Sequence, residues 1–162
     1  MLLYIVRHAH AGQHGDHRYP DDALRPLTKK GHRQFTKVVK KLSRRGFAPE
    51  LIVTSPLVRC RQTAEIIARK AGTSPEVVEL GELAPGSELD ALVAWTRGQA
   101  EQAIAWVGHA PDVDRLTAGL VGASQSAFAL AKGAIAAIEF EDQIAPGEGI
   151  LRWLVTPDVL GA

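Results

Sequence analysis

The chain has 162 residues, 46% hydrophobic and 23% charged, with a formal net charge of +1. That composition fits one globular domain, 1–162, with apolar material for one core, and it excludes both a strongly basic nucleic-acid binder and an acidic binder. The lone cysteine, Cys60, excludes an internal disulfide.

Residues 2–7, LLYIVR, form a continuous apolar run ending in a charge. This predicts a strand buried on both faces, as in a parallel sheet. The run is too short for a signal peptide, and no segment approaches the ~20 apolar residues of a membrane span. The chain is therefore read as cytoplasmic, with neither membrane nor nucleic acid as an expected partner. Residues 11–27 are polar and rich in Gly, Asp and Pro, which predicts a long surface loop. Asp16, Asp21 and Asp22 are read as its solvated acids.

Thr28 is placed to cap a helix whose buried stripe is Phe35, Val38, Val39 and Leu42, closed by Gly46. LIVTSP (51–56) predicts a second strand running straight into a helix, with Ser55 as N-cap and Pro56 as first helical residue. That helix continues through Cys60, Ala64, Ile67 and Ala71 to Gly72. Strands at 76–80 and 103–109 alternate with helices at 87–100 and from Pro111 to Leu120, and 134–140 with 150–155 predict a terminal hairpin. Strands alternating with helices define a layered α/β domain. The basic stretch KVVKKLSRR reads as the solvated face of its helix. Trp95, Trp106 and Trp153 are assigned to the core.

In an open α/β sheet, ligands bind where strands end and helices begin. Three such ends carry reactive side chains: Arg7-His8 after the first strand, Arg59 in the first turn after VTSP, and His109 after AWVG. Two guanidiniums match phosphate oxygens, and a helix N-terminus adds N–H groups and a positive dipole end. Nearby cations keep imidazole neutral, and a neutral imidazole can attack phosphorus. The set describes a phosphoryl pocket that takes its positive charge from protein groups, without metal or cofactor. The rival reading is a metal site built from His8, His10, His14 and His17. It leaves Arg7 and Arg59 unexplained and rests on a loop without rigid support.

RHAH (7–10), SPLVRCRQT (55–63) and VGHAP (107–111), together with LRPLTKKG (24–31) and ELAPG (82–86), resemble the histidine phosphatase superfamily. Within it, the chain is similar to the SixA-type phosphohistidine phosphatases. The resemblance covers essentially the whole chain. It implies a phosphoglycerate mutase-like fold: a three-layer α/β/α sandwich on a mostly parallel, six-stranded sheet. It implies His8 as nucleophile, with Arg7, Arg59 and His109 completing the phosphate pocket and Arg25 at its rim. Many members read RHG where this chain has Ala9. Many use a carboxylate to protonate the leaving oxygen, and Glu82 is the candidate here. Asp112 is a second candidate, read as a helix cap, and Ala110 stands where relatives with larger substrates place an acid.

The expected function is a metal-independent phosphatase working through a phosphohistidine on His8. Its expected partner is a phosphohistidine protein, as in signal transduction, or a small phosphorylated compound. The alternatives are a small-molecule phosphomonoesterase or pyrophosphatase (sugar, nucleotide or inositol phosphate) and a non-catalytic phosphate-binding module. The sequence leaves the oligomeric state open.

Overall fold

Strand alternation sorts the apolar residues of this chain onto two faces of one sheet. In the computed structural model, which describes residues 1–123 and 128–162, ten regular elements follow in order: β1 (Leu2–Arg7), α1 (Lys29–Ser43), β2 (Leu51–Thr54), α2 (Val58–Lys70), β3 (Glu76–Glu79), α3 (Leu89–Arg97), β4 (Ala103–Gly108), α4 (Asp112–Leu120), β5 (Ile135–Glu139) and β6 (Ile150–Val155). The six strands form one sheet in the order β3-β2-β4-β1-β5-β6. The first four in that order are mutually parallel, and β5 runs antiparallel to both β1 and β6.

Leu3 and Ile5 of β1 face the α3 and α4 side, packing with Trp106, Leu92, Val113 and Leu116. Tyr4 and Val6 face the other side, packing with Phe35, Val38, Val39, Cys60 and Ile67 of α1 and α2. Both faces are dry because helices cover both, which is why β1 and β4 read as apolar runs rather than alternating ones. The three-layer expectation holds. Trp106 is buried, while Trp95 and Trp153 pack at the core margin. β3 lies at the sheet edge with its glutamates exposed, which guards the edge against further pairing.

Thr28 caps α1 as expected, its hydroxyl accepting the Gly31 N–H at 2.9 Å. The expected cap of α2 is different. The Ser55 N–H still donates to Val107 O at 3.0 Å, so Ser55 stays in the extended ladder beside β4. The helix begins only at Val58, with Leu57 as N-cap. Arg59 still falls in its first turn. α3 spans a shorter stretch than 87–100, because no side chain caps its start and Gly98 ends it.

Among the described residues, no helix is long and apolar enough to cross a membrane.

Candidate active site

The carboxyl ends of β1 and β4 lie side by side, Arg7 opposite Gly108. The His8 N–H donates to Gly108 O at 2.9 Å. Ladder geometry thus carries His8 next to the residue preceding His109. Both imidazoles are buried, at 5% and 7% exposure, in a protein that has little reason to bury two titratable rings together unless a ligand needs them.

His8 Nδ1 lies 2.7 Å from Ala9 O. A carbonyl only accepts, so the proton sits on Nδ1 and Nε2 carries the free lone pair. Burial pushes the His8 imidazole down to about 3, with Arg59 and Arg7 adding to the effect and the Ala9 bond opposing it. The ring is neutral at physiological pH. Ala9 is itself fixed: its N–H donates to Thr63 Oγ1 at 3.1 Å, while the Thr63 hydroxyl donates to Arg59 O at 2.7 Å. One buried threonine on α2 therefore links the turn after His8 to Arg59.

Arg7 donates from Nη1 to Leu130 O at 2.6 Å. Arg59 donates from Nη1 to the Asp22 carbonyl at 2.8 Å, and its Nη2 lies 3.1 Å from Asp22 Oδ2. Arg25 donates from Nη1 to Ala11 O at 2.6 Å and from Nε to Asp22 Oδ1 at 2.8 Å. Arg25 is 7% exposed, so it lies within the pocket wall rather than at an open rim.

Asp22 corrects the reading of a solvated loop acid. Its carboxylate bridges Arg25 and Arg59 and meets His14 at 3.0 Å. The hydrogen bond from Arg25 holds that carboxyl well below the usual carboxylate range, and the His14 contact and Arg59 act in the same direction. Asp16 and Asp21 stay in local contacts, with Arg18 and with the Ala23 N–H.

Asp112 is not the helix cap, which is Pro111. Its buried carboxylate approaches His109 Nε2 at 2.9 Å, accepts the Gly86 N–H at 3.0 Å and pairs with Arg115. The His109 contact is close but poorly aligned, since Nε2 makes no hydrogen bond of good geometry. Burial lowers the His109 pKa, Asp112 opposes the shift, and Arg59 adds to it.

Arg7, His8, Arg25, Arg59, His109 and Lys132 meet around a cavity of about 390 Å³, whose wall also includes Gly12, His14, Asp22 and Ala110. Four polar atoms in that set are buried without a well-aligned hydrogen-bond partner: Arg7 Nε, Arg59 Nε and both His109 nitrogens. Buried polar groups are nearly always satisfied, so orphaned donors converging on one cavity mark the place of an anion. Lys132 adds a further cation. Its burial, together with Arg7, Arg25 and Arg59, depresses its pKa.

Other candidates lie elsewhere. Glu82 is exposed in the turn Gly81–Leu83, and the cavity wall does not include it. His10 turns outward toward Thr28, because β1 ends at Arg7 and strand alternation does not continue to it. His14 reaches the cavity mouth, and His17 is exposed. Among the described residues, no three His, Cys, Asp or Glu side chains gather as a metal site would require. Cys60 is buried in the core and its thiol is pushed up to about 12 by burial, so it is a packing residue. Gln62 supports the loop, its side-chain oxygen accepting the Leu27 N–H at 2.8 Å.

Asp22, Thr63 and Lys132 belong to this site without having been expected there, and Asp112, expected as a second acid candidate and helix cap, is instead the close neighbour of His109. Two of them carry a spacing signal. Asp22 precedes Arg25, and Asp112 follows His109, each by three residues, the separation of one helical turn. Thr63 and Lys132 carry no such signal.

An α/β domain that gathers arginines and two buried histidines at adjacent strand ends offers a site suited to a phosphoryl group. Comparison with known proteins agrees. The Histidine phosphatase superfamily (branch 1) profile matches residues 3–119, and the chain belongs to that superfamily. An uncharacterized protein of Picosynechococcus sp. is 42% identical over 117 residues, covering 70% of this chain and 68% of that protein. "Probable phosphoglycerate mutase GpmB" of Cronobacter sakazakii is 37% identical over 72 residues, 44% of this chain, and the chain spans only 33% of that relative's length. Among solved structures, the protein histidine phosphatase SixA complexed with tungstate superposes with a TM-score of 0.85 at 23% identity, covering 99% of each chain. The alpha-ribazole phosphatase of Shigella flexneri superposes with a TM-score of 0.74 at 20% identity, covering 97% of each. These two likenesses show the shared phosphoglycerate mutase-like fold.

Proposed function

We propose that this protein is a phosphatase that works through a phosphohistidine on His8, with a phosphohistidine-bearing protein as its substrate. The observation that carries the reading is the His8 tautomer. Its Nδ1–H is committed to Ala9 O, which leaves Nε2 unprotonated in a ring whose pKa burial and arginines hold at about 3. A neutral, oriented imidazole is an activated nucleophile.

In the first step the Nε2 lone pair forms a bond to phosphorus and the P–N bond of the substrate breaks; the substrate's imidazole takes that electron pair and, carrying a proton on its other ring nitrogen, departs neutral. Arg7, Arg25 and Arg59 face the transferring oxygens. His109 donates a hydrogen bond to one of them, and the charge spread over those oxygens is stabilised by groups already in place. In the second step water attacks phosphorus, the N–P bond breaks, and inorganic phosphate leaves with His8 restored. The cations of the site supply the electrostatic stabilisation, so turnover is expected to survive chelation.

The leaving group favours phosphohistidine over an alkyl phosphate. An imidazole departs without a strong acid, whereas an alkoxide needs a proton, and Glu82, the candidate donor, lies outside the cavity wall. The protein histidine phosphatase SixA, whose solved structure shares this fold, supports the same substrate class. A small-molecule phosphomonoesterase is the second reading, supported by the alpha-ribazole phosphatase of the same fold. The test is a chelator-containing activity screen over phosphohistidine peptides, sugar phosphates and nucleotides. A kcat/KM at least ~100-fold higher on phosphohistidine is expected. Equal or better turnover of an alkyl phosphate would move the assignment to the second reading.

A further inference from the structure

Positive charge in this chain is strongly segregated. Nine of its nineteen Lys and Arg residues lie between Ala23 and Pro49, a stretch without a single Asp or Glu. The other ten share the rest of the chain with all eighteen acids, so the near-neutral total conceals one basic surface on an acidic background. α1 carries most of that surface. Lys29, Arg33, Lys37, Lys40 and Arg44 succeed one another at intervals of three or four residues and are all exposed. That spacing puts them in one stripe, and Lys30 lies beside it. From Lys29 to Arg44 the stripe is about 22 Å long at 1.5 Å per residue.

Lys40, in the last turn, complements the helix dipole, but the rest of this arrangement works against the helix that carries it. Like charges at such spacings repel. Lys29 and Lys30 stand at the positive end of the helix dipole, and the first turn holds no acid to compensate. Among the described residues, none of the stripe's cations is paired with a carboxylate within 4 Å. A stability-neutral solvated face would mix signs.

The stripe also begins at the active site. Thr28 N–H donates to His10 O at 2.9 Å, two residues beyond the nucleophile. Gly31 packs so closely on His10 that a Cβ there would lie 2.2 Å from its carbonyl oxygen. Beside the stripe runs a groove of about 460 Å³ lined by Leu27, Lys29, His32, Arg33, Gln62 and Arg69. Glu65 is also on its wall and is paired with Arg69 at 3.5 Å.

We propose that the α1 stripe and this groove dock an acidic face of the phosphorylated protein substrate, which delivers its phosphohistidine to the cavity at the helix's N-terminal end. The proposal rests on the phosphatase reading above. Charge complementarity to a protein is favoured over the other polyanions by what the stripe lacks. Phe35, the one Phe, Tyr or Trp of α1, lies on the buried face, so the stripe has no such ring on which single-stranded nucleic acid could stack. The apolar face of α1 is used up in the core, so there is no wedge to insert into a lipid surface.

The test compares two synthetic phosphohistidine peptides, one flanked on both sides by eight Asp and Glu residues, the other by Asn and Gln at the same positions. Eight extended residues reach about 26 Å, enough to follow the stripe. Wild type is expected to show a KM at least tenfold lower for the acidic peptide, and the advantage should fade as salt rises. In R33Q/K37Q/K40Q/R44Q the KM for the acidic peptide should rise to that of the neutral one, with the neutral peptide's kcat/KM unchanged. Removing mutually repelling charges leaves the helix folded, which a circular dichroism melt verifies. Turnover of both peptides with equal KM in wild type overturns the docking surface and leaves the phosphatase reading intact. Turnover of neither overturns both. Binding of the stripe to a single-stranded oligonucleotide or to phosphatidylserine vesicles, without preference for the acidic peptide, replaces the protein partner by that polyanion and also overturns the proposal.

Discussion

Asp22 and Arg59 are joined twice. The Asp22 carbonyl accepts from Nη1 at 2.8 Å, and its carboxylate lies 3.1 Å from Nη2. The same carboxylate receives Arg25 Nε at 2.8 Å. One acid thus holds two buried, like-charged guanidiniums in the wall of one cavity and fastens the 11–27 loop across it.

Asp22→Asn keeps the shape and removes the charge. The side chain is 32% exposed, so the loss is moderated by solvent, and about 1–3 kcal/mol of stability is expected to go. The pH dependence has a definite sign. The folded carboxyl titrates below its unfolded value of about 3.9, so its contribution is complete above that pH and disappears as pH falls below it. Thermal melts between pH 3 and 7 check this. The gap between wild type and variant should be constant above pH 5 and close toward pH 3; a gap that widens on acidification would contradict the assignment.

Thr63 is the physical link between the His8 turn and Arg59. Thr63→Val removes a hydrogen bond on each side at a fully buried position, leaving the Ala9 N–H and the Arg59 carbonyl facing a methyl group. A loss of about 1–3 kcal/mol in stability is expected. A drop of about tenfold in kcat is expected alongside it, because misplacement of a nucleophile by a fraction of an ångström is costly. Thr63→Ser should restore most of both, measured by denaturant titration and steady-state kinetics.

The parts of this molecule that were legible in advance are those set by short-range pattern. The apolar runs of β1 and β4, the stripe of α1 and the positions of Arg7, His8, Arg59 and His109 at strand and helix ends are all written in local spacing. Asp22 was misplaced because its tie to Arg59 is a tertiary contact, and in a bare sequence an aspartate in a polar loop looks solvated; Asp112 was taken for a helix cap because it opens α4, whereas its carboxylate turns to His109 and Arg115. Ser55 illustrates the opposite error. Its local helix-capping preference was real, but a ladder bond to Val107 overrode it. The outward turn of His10 followed from the end of β1 at Arg7, a boundary that composition does not mark.

Glu82→Gln is expected to change kcat/KM on a phosphohistidine peptide by less than about threefold, since the exposed side chain is absent from the cavity wall. General acids of this kind contribute ~100-fold or more where they operate. A fall of that size on alkyl phosphates would identify Glu82 as a working acid and favour the small-molecule reading.

His8 sets a second pH window. Its folded pKa of about 3 lies below the unfolded value near 6.5. Between these values the unfolded chain binds a proton that the folded one refuses, so the stability contributed by this site is whole above about pH 6.5 and drains away as pH falls toward 3. Activity follows the same logic. With the substrate's own ionisation divided out, kcat/KM should show no acidic limb near pH 6.5, because His8, the proposed nucleophile, remains neutral well below it. A limb at that pH removed by no other variant would contradict the buried, neutral His8.

The most direct measurement is trapping of the covalent intermediate. Wild type quenched during turnover of a labelled phosphohistidine substrate should carry acid-labile, base-stable phosphate on His8, at up to one equivalent per chain, and His8→Ala should carry none while retaining the native circular dichroism spectrum. Equal labelling of the two proteins, or turnover by wild type without any acid-labile phosphate on His8, would contradict the account.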